Sequence, residues 1–262
     1  MQLKDKKVLI TGGSRGIGKF MIHELVKQGV HDIAVIARDK KNLKELRDTF
    51  EGVKFILVYG DVGDTGVLRE MASKVEDKWG YLDVLINNAG IVSAGTHEDL
   101  SDEDIYDQVS VNLTAVLFLT KYCLPLLKAS EEAAILNVSS GLGLIGMPFY
   151  AVYASTKAAI RQFSDSLRRE LEPFAISVTC VYPSATDTDM MLSSKAENMD
   201  PAEYVAEKSI QAMIDKELHF IFGGEQRLED NVLNFESPEE LDKRIAANYE
   251  SLKEASSSHR SV

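Results

Sequence analysis

The chain has 262 residues, 45% of them hydrophobic, with 41 acidic and 29 basic side chains and a formal net charge of −12. That hydrophobic share supports one well-buried α/β domain, or at most two small ones. The acidic balance repels phosphate backbones and anionic lipid, so no nucleic-acid partner and no membrane-surface partner is expected.

Residues 1–7 carry positive charge but lead directly into a strand-like segment, without the apolar stretch of a signal peptide. No apolar run reads as long enough to cross a bilayer, and a soluble, cytoplasmic protein is expected. Strand-like runs follow at 7–11, 32–37, 53–59, 84–87, 133–138, 177–182 and 219–222. Amphipathic helical patterns lie between them, near 17–28, 40–50, 64–78, 102–128, 153–172 and 201–215. Strands alternating with helices imply right-handed crossovers and a doubly wound parallel α/β sheet covered on both faces. Continuously apolar strands such as 33–37 fit burial on both sides. Neither Cys123 nor Cys180 has a close cysteine partner, and both fall in apolar segments, so buried free thiols in a reducing compartment are expected. The five histidines, His23, His31, His97, His219 and His259, lack metal-ligand spacing, so no metal is expected and packing or surface roles are.

The first strand runs into Thr11-Gly12-Gly13-Ser14-Arg15-Gly16-Ile17-Gly18, and a helical pattern follows. A strand, a glycine-rich turn and a helix N-terminus together make an anion site, because the amides point outward and the helix dipole favours negative charge. Glycines let the backbone turn sharply and come close to a pyrophosphate. No Gly-Lys-Ser/Thr ending is present, which argues against an ATP-type loop. The second strand ends Ala37-Arg38-Asp39. An acid there would bond the ribose 2′-hydroxyl of NAD, whereas an arginine accommodates a 2′-phosphate. Arg38 and Arg15 could flank that phosphate with charge-assisted bonds, while Asp39 could bond a ribose or pair with Arg38. NADP(H) is the preferred cofactor on this reading, with NAD(H) second.

Further along, Tyr153 and Lys157 are four residues apart in Tyr-Ala-Ser-Thr-Lys, and Ser140 lies thirteen residues before Tyr153. Residues i and i+4 share a helix face. An ammonium beside a phenol lowers the phenol's pKa and makes it a tunable proton donor. By itself the pair reads equally as an aromatic anchor beside a solvated lysine.

Taken together, residues 5–224 resemble the short-chain dehydrogenase/reductase family, with its Rossmann fold. Gly12, Gly16 and Gly18 match the family's loop glycines, with Ser14, Arg15 and Ile17 between them. Asp61-Val62 stands where the family contacts the adenine. Asn87-Asn88-Ala89-Gly90 matches the motif after the fourth strand, which steadies the sheet centre and touches the cofactor. Asn112 matches the helix asparagine that holds a proton-relay water. Asn137-Val138-Ser139-Ser140 matches the motif whose last serine is catalytic, and Tyr153 and Lys157 match the Tyr-x-x-x-Lys pair. Pro183 to Met190 matches the segment over the nicotinamide, with Thr186 among its cofactor contacts and Thr188 at the carboxamide. Two departures stand out. Ser184 replaces a usual glycine, and the chain continues 38 residues past Gly223-Gly224.

The resemblance implies hydride transfer between NADPH and a carbonyl or secondary alcohol, with Asn112, Ser140, Tyr153 and Lys157 as the catalytic tetrad. The apolar run from Gly141 to Tyr150 suggests an apolar ketone or aldehyde, and 189–200 reads as a lid rich in methionine. The alternative is a non-catalytic NAD(P)-binding redox sensor, whose tetrad would be broken. By family analogy a homodimer through the two long helices is expected, with a tetramer as the larger option. Residues 1–224 are expected to form the catalytic domain. Residues 225–262 read as a partly helical extension. Its helix starts at Ser237-Pro238 and carries Leu241, Ile245, Tyr249 and Leu252 on one face. Residues 255–262, rich in serine, are expected to be disordered.

Overall fold

The computed structural model describes residues 1–194 and 198–261. Its main sheet has seven parallel strands, β1 (Lys7–Thr11), β2 (Asp32–Ala37), β3 (Lys54–Tyr59), β4 (Val84–Asn87), β5 (Ala133–Val138), β6 (Ile176–Tyr182) and β9 (His219–Ile221). They run in the order β3-β2-β1-β4-β5-β6-β9. A two-residue pair, β7 (Thr186–Asp187) and β8 (Asp200–Pro201), lies apart from it. The chain order reverses direction between β1 and β4, which opens a crevice at their carboxyl ends.

Period-2 alternation explains the two cores. Val8 and Ile10 of β1 point to one face, with Ile33 and Val35 of β2. There they meet Met21, Ile22 and Leu25 of α1 (Gly16–Lys27) and Val205, Ile210 and Met213 of α7 (Ala202–Ile214). Leu9 and Ile36 point to the other face. They meet Leu68, Met71 and Val75 of α3 (Thr65–Trp79) and Leu119, Cys123 and Leu127 of α5 (Ala115–Lys128). α2 (Lys40–Thr49) covers the β2–β3 edge with Leu43 and Leu46, and α6 (Ala151–Glu170) packs on β6. Cys123 and Cys180 are both buried and free.

The predicted 102–128 helix is continuous but changes pitch. α4 (Asp102–Val109) passes through a π-helical turn at Ser110–Thr114 into α5. This 27-residue helix is long and apolar enough to cross a membrane by length and composition, which corrects the expectation that no such run exists. Its buried face, with Val111, Ala115, Leu119, Cys123 and Leu127, packs into the core beneath the sheet.

Beyond Gly223 and Gly224, both at positive φ, the chain forms α8 (Gly224–Glu236), α9 (Pro238–Ala246) and α10 (Tyr249–Ser256). Ser237 and Pro238 do start a helix, although the serine hydroxyl makes no cap bond. The single expected helix is divided at Ala247 and Asn248, so its apolar residues are shared between two short helices.

A polar thread crosses the apolar interior. Asn87 Nδ2 donates to Asn137 Oδ1 (2.8 Å) and Thr120 Oγ1 (3.2 Å), and Asn137 Nδ2 donates to Ser164 Oγ (2.9 Å). It ties β4 to β5 and to α6. Asn137→Ala should destabilise the fold by about 1–3 kcal/mol, because buried donors and acceptors lose a partner where water cannot replace it. A shift in urea midpoint measures this, and an unchanged midpoint would mean that the thread carries no net stability.

Candidate active site

The loop after β1 is shaped by backbone requirements. Gly12 and Gly16 sit at φ +67° and +52°, where a side chain is disfavoured. A Cβ on Gly18 would lie 2.3 Å from the Gly12 carbonyl oxygen and 2.5 Å from Asn88 Nδ2. Asn88 Nδ2 donates to the carbonyls of Thr11 (3.0 Å) and Gly12 (3.3 Å), while Thr11 Oγ1 accepts from the amides of Asn88 and Ala89, each at 3.0 Å. α1 begins at Gly16 with Arg15 at its N-cap and no side-chain cap bond. The open helix N-terminus and the tight glycine packing make a cradle that fits a pyrophosphate.

This cradle opens into a cleft of about 770 Å³. Every residue expected at the cofactor lines it, from Gly12, Ser14, Arg15, Gly16, Ile17 and Gly18 through Arg38, Asp61, Val62, Asn88, Ala89 and Gly90 to Pro183, Thr186 and Thr188. At the outer end the two arginines do not stand free together. Arg38 pairs with Asp61 (3.7 Å) and Arg15 with Asp189 (3.8 Å), all four side chains being roughly half-exposed. Such exposed pairs are weak, worth about 0–1 kcal/mol, and yield readily to a phosphate. Asp39 also lines the cleft and does not pair with Arg38. Its carboxylate caps α2, accepting from the amides of Lys41 (2.7 Å) and Asn42 (3.0 Å).

At the inner end β5 delivers Ser139 and Ser140, and the first turns of α6 deliver Tyr153 and Lys157. The Ser140 hydroxyl stands beside the Tyr153 hydroxyl, close enough to influence its titration, and accepts from the Leu142 amide (3.2 Å). Lys157 Nζ donates to the Val138 carbonyl (3.0 Å) and lies 5.7 Å from the Tyr153 ring centre. Ser139 Oγ donates to the Lys157 carbonyl (2.7 Å), which fixes the helix against the strand end. The expected lowering of the phenol's pKa by Lys157 does not dominate here. Burial pushes Tyr153 up to about 12, with the neighbouring Ser140 hydroxyl pulling the other way. Burial likewise brings Lys157 down to about 8. Removing both groups from water penalises each charged form, so the phenol holds its proton at neutral pH.

Asn112 sits in the π-helical turn, a feature often found beside functional sites. Its Oδ1 accepts from the Ile91 amide (2.8 Å), and its Nδ2 donates to the Ile91 carbonyl (2.9 Å) and Thr156 Oγ1 (3.3 Å). The side chain is therefore committed to protein partners. It fixes the loop after β4 beside Lys157.

Other expectations need correction. None of residues 141–150 lines the cleft. Gly141, Gly143, Ile145 and Phe149 are buried, and Leu144 packs against a cluster with Val116, Ile160 and Tyr182, so part of this run is core. Ser184 is absent from the positive-φ positions, and its hydroxyl donates to Asp200, so it meets no strain where a glycine was expected. Of the lid, Asp189, Met190 and Met191 line the cleft, while 195–197 lie outside the described residues.

The largest surprise is the serine-rich tail, expected to be disordered. Ser261 lines the cleft, and His259 is only 4% exposed. The Ser261 amide donates to the Val92 carbonyl (2.9 Å), Ser261 Oγ accepts from the Val92 amide (2.8 Å), and the Ala94 amide donates to the His259 carbonyl (3.0 Å). Backbone pairing and hydroxyls hold the tail, and neither leaves an apolar periodicity to read.

The family model described as short chain dehydrogenase matches residues 6–199. An uncharacterized oxidoreductase of Thermotoga maritima is 32% identical over 208 residues, covering 78% of this chain and 80% of that one. A 3alpha-hydroxysteroid dehydrogenase of Mediterraneibacter gnavus is 30% identical, covering 73% and 78%. Among solved structures, two short chain dehydrogenases from Burkholderia cenocepacia in complex with NADP are similar. One has a TM-score of 0.82 at 24% identity, covering 94% of this chain and 99% of that one. The other has a TM-score of 0.76 at 28% identity, covering 86% and 98%.

Because folding lowers Lys157 from 10.5 to about 8, the unfolded chain holds a proton between those values that the folded chain has released. Stability conferred through Lys157 is therefore lowest below pH 8 and rises above it. The unfolding free energy of the wild type, relative to Lys157→Met, should increase by about 3 kcal/mol from pH 8 to pH 10.5. Urea titrations across that range measure the difference, and a flat difference would remove Lys157 as the titrating group.

Proposed function

The chain belongs to the short-chain dehydrogenase/reductase family, and from that premise we propose that it is an NADP-preferring oxidoreductase acting on an apolar ketone or aldehyde and the matching secondary or primary alcohol. The observation that carries this reading is the convergence of Ser140, Tyr153 and Lys157 on the inner end of a cleft whose outer end is the glycine cradle.

When bound, the nicotinamide supplies or accepts the hydride. Tyr153, neutral at physiological pH, donates its proton to the carbonyl oxygen as negative charge grows there. Ser140, beside the Tyr153 hydroxyl, hydrogen-bonds the same oxygen and favours the charged transition state. Lys157 stabilises the phenolate left behind, which takes a proton back from solvent entering the cleft once product leaves. Asn112 holds the Ile91 backbone and so keeps Gly90 and Lys157 in register. In the oxidative direction each proton step runs in reverse.

Three observations support the finer parts of the reading. One carboxylate oxygen of Asp39 caps α2, Arg38 and Arg15 both line the outer end of the cleft, and the neighbour at 28% identity is a complex with NADP. Ile91, Val111, Met190 and Met191 give the cleft apolar walls, and one relative is named for a steroid alcohol, an apolar substrate. No observation favours a non-catalytic sensor, since Ser140, Tyr153 and Lys157 are intact and brought together.

Tyr153→Phe should lower carbonyl reduction by about 10²–10⁴-fold, the usual worth of a positioned acid, while NADPH binding persists by fluorescence. Turnover near the wild-type rate would refute the assignment. Arg38→Ala should weaken NADPH binding by about 10–100-fold through one lost charge-assisted bond, and leave NADH binding unchanged. Equal losses for both cofactors would refute the 2′-phosphate role.

A further inference from the structure

Residues 258–261 reach the cleft, which Ser261 lines, and bond to the loop after β4, to α4, to the segment after β7 and to the residue before α6. Arg260 forms an antiparallel bridge with Ser93, in the loop after β4. Its guanidinium pairs with Asp104 of α4. Ser193, beyond β7, donates its hydroxyl to the Arg260 carbonyl (3.0 Å), and its own carbonyl accepts from Ser258 Oγ (2.9 Å). At the centre, the buried His259 ring bonds Tyr150 OH through Nδ1 (2.9 Å) and the Met190 carbonyl through Nε2 (3.1 Å).

The tautomer follows from the partners. A carbonyl can only accept, so Nε2 carries hydrogen, and a neutral ring then accepts from Tyr150 at Nδ1. Burial holds His259 below the usual histidine range, which keeps the ring neutral. Tyr150 precedes α6 and stands three residues before Tyr153, and Met190 lines the cleft opposite. The ring thus bridges the helix that carries the proton donor and the segment over the nicotinamide.

We propose that residues 257–261 are a strap whose Ser261 closes one end of the substrate pocket, and that His259, buried behind it between Tyr150 and Met190, holds the strap in place and so sets the upper size of the carbonyl substrate. This rests on the oxidoreductase reading above and deepens it. The strap is polar and mostly exposed apart from His259, so its bonds exchange with water more readily than any core contact. It opens to admit substrate and closes to exclude solvent.

The test uses the full chain as wild type, His259→Ala and Tyr150→Phe. Reduction of a series of cyclic ketones by NADPH is followed from one ring to three fused rings, and trypsin cleavage after Arg260 is followed by mass. His259→Ala should raise kcat/KM for the largest ketone relative to the smallest by about tenfold, as expected for a pocket wall withdrawn by more than a methylene. Tyr150→Phe, which removes only one hydroxyl, should move selectivity in the same direction by a smaller factor. Trypsin should cut both variants faster than wild type, about tenfold for His259→Ala, because cleavage follows the open population. Unchanged size selectivity in both variants would overturn the specificity role. Cleavage of wild type as fast as of His259→Ala would overturn the strap. If wild type reduces no ketone in the series, the oxidoreductase reading fails, and the cleavage rates still decide the strap.

Discussion

Asn87 and Asn88 hold together the ends of the central strands, and the rest of the site is built outward from them. Asn88 bonds the carbonyls of Thr11 and Gly12. That contact brings β4 against the loop after β1 so closely that Gly18 can carry no side chain. Asn87 faces the other way, into the interior, and reaches Asn137 on β5, which in turn bonds Ser164 on α6. Two adjacent amides therefore set the distance from the phosphate cradle to the helix bearing Tyr153 and Lys157. Such a network is favourable only while its members stay paired, because burial makes an unpartnered amide costly.

The same burial governs the chemistry. Tyr153 and Lys157 lose hydration on folding, and their pKa values move toward the neutral form of each. The shift on Tyr153 leaves a phenol that keeps its proton until a carbonyl oxygen begins to take on charge. The shift on Lys157 leaves an ammonium close to its titration point, aimed at the Val138 carbonyl and at the space beside Gly90. An ammonium beside a phenol lowers its pKa only if desolvation is smaller than the attraction between them, and here desolvation is the larger effect.

The C-terminal region shows how function can sit in residues with no distinctive composition. Ser256 to Ser258 read as a tract unable to bury apolar surface. Their place is decided by the loop after β4, which offers backbone groups at Val92 and Ala94, and by Tyr150 and Met190, which offer a donor and an acceptor to one imidazole. None of these partners lies within a hundred residues of the tail except the Met190–Ser193 segment. A rule based on local pattern has nothing to detect.

What the sequence determined by itself is the part governed by short-range regularity. Apolar alternation located the seven strands to within a residue or so, helical spacing located α1 to α7, and the ordered motifs from Gly12 to Thr188 named many of the residues that line the cleft. Only the tertiary structure decided which of several partners each polar group takes. Asp39 places one carboxylate oxygen on the α2 cap; Arg38 could have met Asp39 and instead meets Asp61; the Asn112 side chain takes the Ile91 backbone as its partner. Likewise, part of the 141–150 run became core, and His259 came to lie between Tyr150 and Met190. The reason is the same in each case: burial patterns repeat along the chain and can be read from it, whereas a hydrogen bond depends on which distant groups the fold brings within three ångströms or so.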